Sequence, residues 1–275
     1  MLRVEKVWFR YAGSERWALR GVSLEVERGE FVLILGGTGA GKSTLLRAMN
    51  GLVPHFYPGE MRGRVLVDGV DTREARVSEL ARKVGLVFQN PEQMFFCPTV
   101  VEEVSFGPKN LGAEGEEVEK AVNQALSEVG LSGYERRSPW SLSGGEMRRL
   151  SLAAVLSMRP DYIAVDEPTT GQDAGGKRGL IRLLHRLARE GRGIVVVTHD
   201  VEWVVDLSPD RVILMSGGRV VGSGSAEDML GNSERLVEAS LYPPVTARIS
   251  SRVIGRVVLR PSELADEVLR IAGSA

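Results

Sequence analysis

Cysteine is nearly absent: the chain of 275 residues holds one, Cys97. A single thiol excludes a disulfide framework and a cysteine-based metal cluster within the chain, and it fits a reducing compartment. Long apolar runs are missing as well. Runs such as those at residues 31–35, 162–165 and 194–197 are far short of the ~18 residues of a membrane-spanning helix. Residues 1–10 carry charges and no apolar stretch, so no signal peptide is expected. An excess of one charge sign is also lacking. Lys plus Arg number 35 and Asp plus Glu 36, a net charge of -1, which argues against a nucleic-acid partner. Lysine itself is scarce, six against 29 arginines; thermophile enrichment is in Lys and Glu, so base composition explains this better.

What remains is an ordinary globular composition, 43% hydrophobic and 26% charged, in a length that suits roughly two structural units and a real core. Glycine is the exception, with 32 residues where about 7% is usual. No collagen-like period explains it, so glycine loops are expected. Short runs rich in β-branched and aromatic residues predict strands over residues 4–11, 21–26, 31–35, 65–67, 84–88, 162–165, 194–197, 212–215 and 219–221. Helical spacing marks residues 42–50, 116–129 and 176–190. Strands alternating with helices imply an α/β fold with a mainly parallel sheet. Residues 91–160 read as a helical insert opened by a capping box at Thr99 and Glu102. The texture changes after residue 225. Tyr242-Pro243-Pro244 is a break, and residues 261–272 carry Leu264, Val268 and Ile271 as a stripe. The expected division is therefore 1–225, with its insert, and a small appended element over 226–275.

Residues 36–44 read Gly36, Gly37, Thr38, Gly39, Ala40, Gly41, Lys42, Ser43, Thr44. This is G-x-x-x-x-G-K-[ST] between a predicted strand and a predicted helix. Glycines let backbone N–H groups close on a phosphate, and the helix N-terminus adds a favourable partial charge. Lys42 reaches β- and γ-phosphates, and the Ser43 hydroxyl suits Mg²⁺. An ordinary glycine turn opening a helix would not need all nine residues and both flanks. Asp166 and Glu167 then follow a buried-type strand. Two acids there are often only a solvated strand end, but beside a phosphate loop Asp166 suits Mg²⁺ and Glu167 suits polarising the attacking water.

Residues 142–146 read Leu-Ser-Gly-Gly-Glu. Ser143 and Glu146 form a capping box, leaving N–H groups at Gly144 and Gly145 for an anion. This string resembles the signature of ABC (ATP-binding cassette) ATPases. Other positions match that family in order: Tyr11 as the adenine-stacking aromatic, with Trp17 and simple core packing as alternatives; Gln89 as the Q-loop; Gly171-Gln172-Asp173 as the D-loop, with Gln172 where the family usually has Leu; and His199 as the switch histidine. The resemblance covers residues 2–225. It implies a P-loop NTPase fold: a RecA-like parallel core, an antiparallel β subdomain, an inserted helical subdomain and, here, a small C-terminal extension. It implies ATP and Mg²⁺ as cofactors. It further implies a head-to-tail pair in which each ATP lies between one phosphate loop and the partner's Ser143, Gly144 and Gly145. Glu167, His199, Gln89 and Lys42 would be the catalytic set, and Ser43, Gln89 and Asp166 the metal set.

Within the family, residues 84–107 are similar to ATPases of energy-coupling factor (ECF) transporters, including cobalt and nickel importers. Asn90, Pro91, Glu92 and Gln93 after the Q-loop glutamine and Phe-Gly-Pro at 106–108 carry that likeness. The likeness implies a second ATPase subunit, an integral-membrane scaffold protein and a small membrane substrate-capture protein as partners, at the cytoplasmic face of the membrane. A different ABC importer or exporter is the alternative. A soluble non-transport ABC ATPase is a weaker one, since neither heptads nor a second phosphate loop is present.

Overall fold

The computed structural model describes residues 1–169 and 172–273. The strands are β1 (Leu2–Tyr11), β2 (Leu19–Val26), β3 (Phe31–Leu35), β4 (Gly59–Val67), β5 (Val70–Asp71), β6 (Val84–Val87), β7 (Tyr162–Asp166), β8 (Gly193–Thr198), β9 (Arg211–Ser216) and β10 (Arg219–Gly224). The helices are α1 (Lys42–Met49), α2 (Leu52–His55), α3 (Val77–Ala81), α4 (Val100–Asn110), α5 (Gly115–Glu128), α6 (Gly144–Leu156), α7 (Ala174–Arg189), α8 (Val201–Leu207), α9 (Ala226–Leu230), α10 (Ser233–Glu238), α11 (Val245–Val253) and α12 (Pro261–Gly273).

Two sheets organise the chain. One has the order β10-β9-β3-β8-β7-β6, with β3, β6, β7, β8 and β9 parallel and β10 returning antiparallel. Strands β3, β7 and β8 are buried along their whole length, which is why they read as continuous apolar runs. The other sheet, β2-β1-β4-β5, is antiparallel and alternates buried with exposed residues along β1 and β2. Each face of the parallel sheet has its own core. Leu33, Leu35, Val165 and Val196 pack with α4 to α7, while Val32, Ile34, Ala164 and Val197 pack with α1 and the antiparallel sheet. The α/β architecture is the one the sequence implied.

One local expectation needs correction. The strand expected over residues 65–67 is longer than its apolar run. Residues 59–64 form the first half of β4, paired with Glu5, Trp8, Phe9, Arg10 and Tyr11 of β1. Glu60, Arg62, Arg64 and two glycines hide the strand, because this half is solvent-facing and its pairing, not its apolar content, makes it a strand.

What matters for the site is direction. Helices α1, α7 and α8 follow β3, β7 and β8. The helix starts therefore gather at the carboxyl ends of the parallel strands, the edge at which open α/β sheets bind ligands.

Candidate functional site

The chain leaves β3 at Leu35 and reaches α1 through residues 36–41. Gly39 and Gly41 take φ of 80° and 98°, a region open to glycine and strained for other residues. A Cβ at Gly36 would run into the Met215 carbonyl oxygen. The loop is braced from outside. Gly218 donates its N–H to the Ala40 carbonyl at 3.0 Å, and Gly37 donates to the Ala239 carbonyl at 2.9 Å.

Lys42 opens α1 and is only 7% exposed. Its ammonium donates to the carbonyls of Gly36 at 2.6 Å and Gly37 at 3.2 Å. It also lies 3.6 Å from Glu167 Oε1. Burial pushes its pKa down, against the pull of Glu167 and Asp166. Thr44, two residues on, shares a hydrogen bond with the Tyr11 hydroxyl at 2.9 Å, and Arg47 donates to that hydroxyl at 3.3 Å. Tyr11 is thus tied to α1 and packs edge-on against Phe9. Trp17 is occupied differently, flanked by the guanidiniums of Arg10 and Arg62, each 5.0 Å from its ring.

Asp166 ends β7, with 7% exposure. Burial raises its carboxyl pKa, the Ser43 hydroxyl lowers it, and neighbouring Glu167 raises it further. One of its oxygens, Oδ1, is buried without a hydrogen-bond partner among the described residues. Such an oxygen is costly unless something positive completes it. The donors at hand, the Ser43 hydroxyl and the Asp166 carboxylate, are hard oxygens, and they fit a Mg²⁺ held largely through its nucleotide. Among the described residues no cluster of three His, Cys, Asp or Glu could hold a metal by itself.

Glu167 is 6% exposed and sits at φ 46°, left-handed for a non-glycine residue. The conformation is fixed from both sides. Its N–H donates to the Val197 carbonyl at 2.9 Å, and its own carbonyl accepts from Arg148 at 2.6 Å. Its carboxylate accepts from the Thr198 hydroxyl at 2.9 Å, the His199 N–H at 3.4 Å and His199 Nδ1 at 2.8 Å. The His199 side chain stays 58% exposed. Lys42, Glu167 and His199, far apart in sequence, thus form one row of contacts across the tips of β3, β7 and β8.

Gln89 follows β6 and is exposed. Its carbonyl accepts from Arg148 at 3.0 Å. Arg148, on α6, thereby grips the backbone of Gln89 and Glu167 at once. Sequence reading passed over it, although its place five residues after Ser143 was visible.

Ser143 caps α6 as expected. Its hydroxyl accepts from the Glu146 N–H at 3.4 Å, and its own N–H donates to the Glu146 carboxylate at 2.8 Å. The Ser143 N–H holds that carboxyl down at about 2. Among the described residues, nothing beyond the chain neighbours and the helix's own backbone lies within 4 Å of where a Cβ would stand on Gly144 or Gly145. Among the described residues no hydrogen bond joins Ser143, Gly144 or Gly145 to residues 36–44 of the same chain. Asp173 caps α7, accepting from the Gly176 N–H at 2.7 Å. Gly171, the first residue of the expected D-loop, lies outside the described residues.

A family model described as ABC transporter matches residues 19–170. A protein of Pyrococcus abyssi named as an ABC transporter ATP-binding protein is 40% identical over 273 residues, 99% of this chain and 100% of that one. The energy-coupling factor transporter ATP-binding protein EcfA of Methanothermobacter thermautotrophicus is 42% identical over 238 residues, 86% of this chain and 75% of that one. Among solved structures, CbiO1 of Clostridium perfringens, part of the ABC transporter complex CbiONQ, superposes with a TM-score of 0.74 at 32% identity, covering 92% of this chain and 95% of that one. An ATP-binding cassette solved as a dimer with ADP and phosphate has a TM-score of 0.72 at 29% identity, covering 82% and 99%.

Proposed function

Because the chain belongs to the ABC transporter ATP-binding family, and is an ATPase of that family, we propose that it powers uptake of a vitamin or transition-metal ion by an ECF-type transporter. The likeness to EcfA and to CbiO1 supports that subclass, as do Asn90, Pro91, Glu92 and Gln93. Its partners in this reading are a second ATPase subunit, an integral-membrane scaffold and a small membrane capture protein. No helix among the described residues is long and apolar enough to cross a membrane; in this reading the chain works from the cytoplasmic face, docked on the scaffold.

The observation that carries the chemical reading is the row Lys42–Glu167–His199 beside a glycine loop and an unpartnered Asp166 oxygen. ATP lies along residues 36–44 with its adenine on the Tyr11 side. Lys42 leaves Glu167 for the β- and γ-phosphates. Glu167 then orients a water for attack on the γ-phosphate, and His199 contacts that phosphate while holding Glu167 in place. Ser43, Asp166 and Gln89 would hold Mg²⁺, which neutralises phosphate charge when bound. The chemistry is positioning and charge stabilisation. Ser143, Gly144 and Gly145 face the partner's nucleotide, with Asp173 near the junction. Residues 226–275 contribute to pairing, and the exposed Val245, Ile249 and Val253 on one side of α11 support this.

A tagged pull-down from detergent-solubilised membranes tests the transport reading. A polytopic scaffold with a small membrane-embedded protein is expected. Recovery with a permease and a soluble binding protein moves the chain to another importer class, and recovery with ribosomal or DNA-repair factors sinks the transport role while leaving the ATPase standing.

A further inference from the structure

We infer that Ala239 and Ser240, beyond the last strand, are positioning residues for the phosphate loop. The inference rests on reading residues 36–44 as that loop. Helix α10 ends in a tight closure. Ser240 takes φ 58°, its N–H donates to the Val237 carbonyl at 2.9 Å, and the Leu241 N–H donates to the Leu236 carbonyl at 2.8 Å. This is the pattern of a left-handed helix stop, where glycine is usual. Serine bears the conformation here at a site where its Cβ faces another backbone. A Cβ built on Gly37 would lie 2.9 Å from the Ser240 Cβ, with the Ala239 and Ser240 carbonyl oxygens at an ordinary 3.5 Å. The bare Gly37 backbone and the short Ser240 side chain let the two segments touch.

Contact becomes connection through hydrogen bonds. The Ala239 carbonyl, left without a helical partner where α10 ends, accepts the Gly37 N–H at 2.9 Å. The Gly37 carbonyl in turn accepts the Lys42 ammonium at 3.2 Å. A line of polar contacts therefore runs from the end of α10 to the phosphate-binding lysine. The far side is anchored too. Ala239 is 1% exposed, and Leu236, Leu241 and Ala247 are buried in the core that holds Trp203, Val204 and Leu207. The Val245 N–H, at the start of α11, donates to Glu202 Oε1 at 2.8 Å, and Glu202 lies in the first turn of α8, three residues after His199. Residues 239–245 thus form a strap. It joins the second residue of the phosphate loop to the helix behind His199, and α11 continues from its end. The strap sets where Lys42 sits, so nucleotide affinity depends on a segment outside the nucleotide-binding motifs.

The test is a double-mutant cycle in the full chain with Gly37→Ala and Ser240→Gly. The measurements are the Mg-ATP dissociation constant by titration, KM and kcat for ATP hydrolysis, and Tm. Overpacking of this kind corresponds to about tenfold or more in a binding constant. Gly37→Ala should therefore weaken ATP binding by about tenfold and raise KM more than it lowers kcat. Ser240→Gly removes the opposing Cβ, so the double variant should recover affinity to within about threefold of the parent. Parent-like affinity in Gly37→Ala overturns the inference. So does a double variant as weak as Gly37→Ala, even if Ser240→Gly raises Tm in both backgrounds, since that is what a merely structural role would give. Lys42→Ala run in parallel separates the two levels. If it binds ATP like the parent, the phosphate-loop reading itself fails; if it loses ATP while the cycle shows no recovery, only the strap does.

Discussion

Glu167→Gln separates binding from chemistry, and the geometry gives its magnitudes. In the parent, Glu167 Oε1 lies 3.6 Å from the Lys42 ammonium. At an effective dielectric near 20 that attraction is about 5 kcal/mol before desolvation. ATP has to replace it, and the incoming γ-phosphate also meets the Glu167 charge. Glutamine removes both obstacles while keeping the shape. It still offers an oxygen to the Thr198 hydroxyl, which donates to Glu167 at 2.9 Å. Its amide also ends the like-charge contact that helps raise the Asp166 pKa. ATP affinity should therefore hold or tighten. Turnover should fall by about 10² to 10⁴, the scale of a lost general base, or about 3 to 5 kcal/mol of barrier. The assay pairs equilibrium titration of Mg-ATP with phosphate release at saturating nucleotide. Turnover within twofold of the parent removes Glu167 from the water-orienting role. A tenfold loss of affinity refutes the electrostatic argument even if turnover falls.

Three further outcomes follow from named contacts. Gly36→Ala drives a Cβ into the Met215 carbonyl and to 3.1 Å from the Ala40 Cβ; overpacking of about 1 to 3 kcal/mol is expected, read as a lowered denaturation midpoint with weakened ATP binding, and a parent-like midpoint contradicts the close approach. Arg148→Ala strips the donor from the carbonyls of Glu167 and Gln89, costing about 1 to 3 kcal/mol and lowering kcat more than it raises KM; unchanged kcat would show that this grip does not set the site. Asp68 gives the pH dependence. Burial disfavours its charge, but hydrogen bonds from the Met1 ammonium and Arg28 outweigh that and hold its carboxyl at about 2. A depressed pKa stabilises the fold above the unfolded value of about 3.9, and the contribution is lost as pH falls through about 2. The stability gap between the parent and Asp68→Asn, from denaturant midpoints, should thus be widest above about pH 4 and shrink toward pH 2; a constant gap rejects the ionic origin.

How legible these features were in the sequence depended on whether their physics is local. The phosphate loop was plain because its chemistry is backbone chemistry, and glycine spacing is how a sequence writes backbone freedom. The Ser143–Glu146 box was plain because both partners lie within one helical turn. The parallel strands were plain because burial on both faces removes polar residues from them. The first half of β4 was not, since its strand character comes from pairing with β1 across exposed charged residues. Arg148 was visible but mute, because its meaning lies in two carbonyls on other elements. Ala239 and Ser240 carry no signal at all. One contributes a carbonyl and the other a short side chain, to a partner that is itself a glycine.

The backbone at Glu167 ties these threads together. Among the described residues six non-glycine positions, Lys6, Asp68, Arg159, Glu167, Ser208 and Ser240, adopt positive φ, a conformation that costs of order 1 kcal/mol or more at each. At Glu167 the strain is held by bonds at both flanking peptides, to Val197 of β8 and from Arg148 of α6, while the His199 N–H, just before α8, holds the carboxylate. Nothing in the packing of β7 demands this conformation, since the strand is already complete at Asp166. What it does is turn the carboxylate back toward Lys42 and His199 instead of outward along the strand. The residue proposed to orient the attacking water is thus held by β8, by α6 and by the turn before α8, through Val197, Arg148 and His199. A variant that loosens one of these contacts is expected to be felt at Glu167.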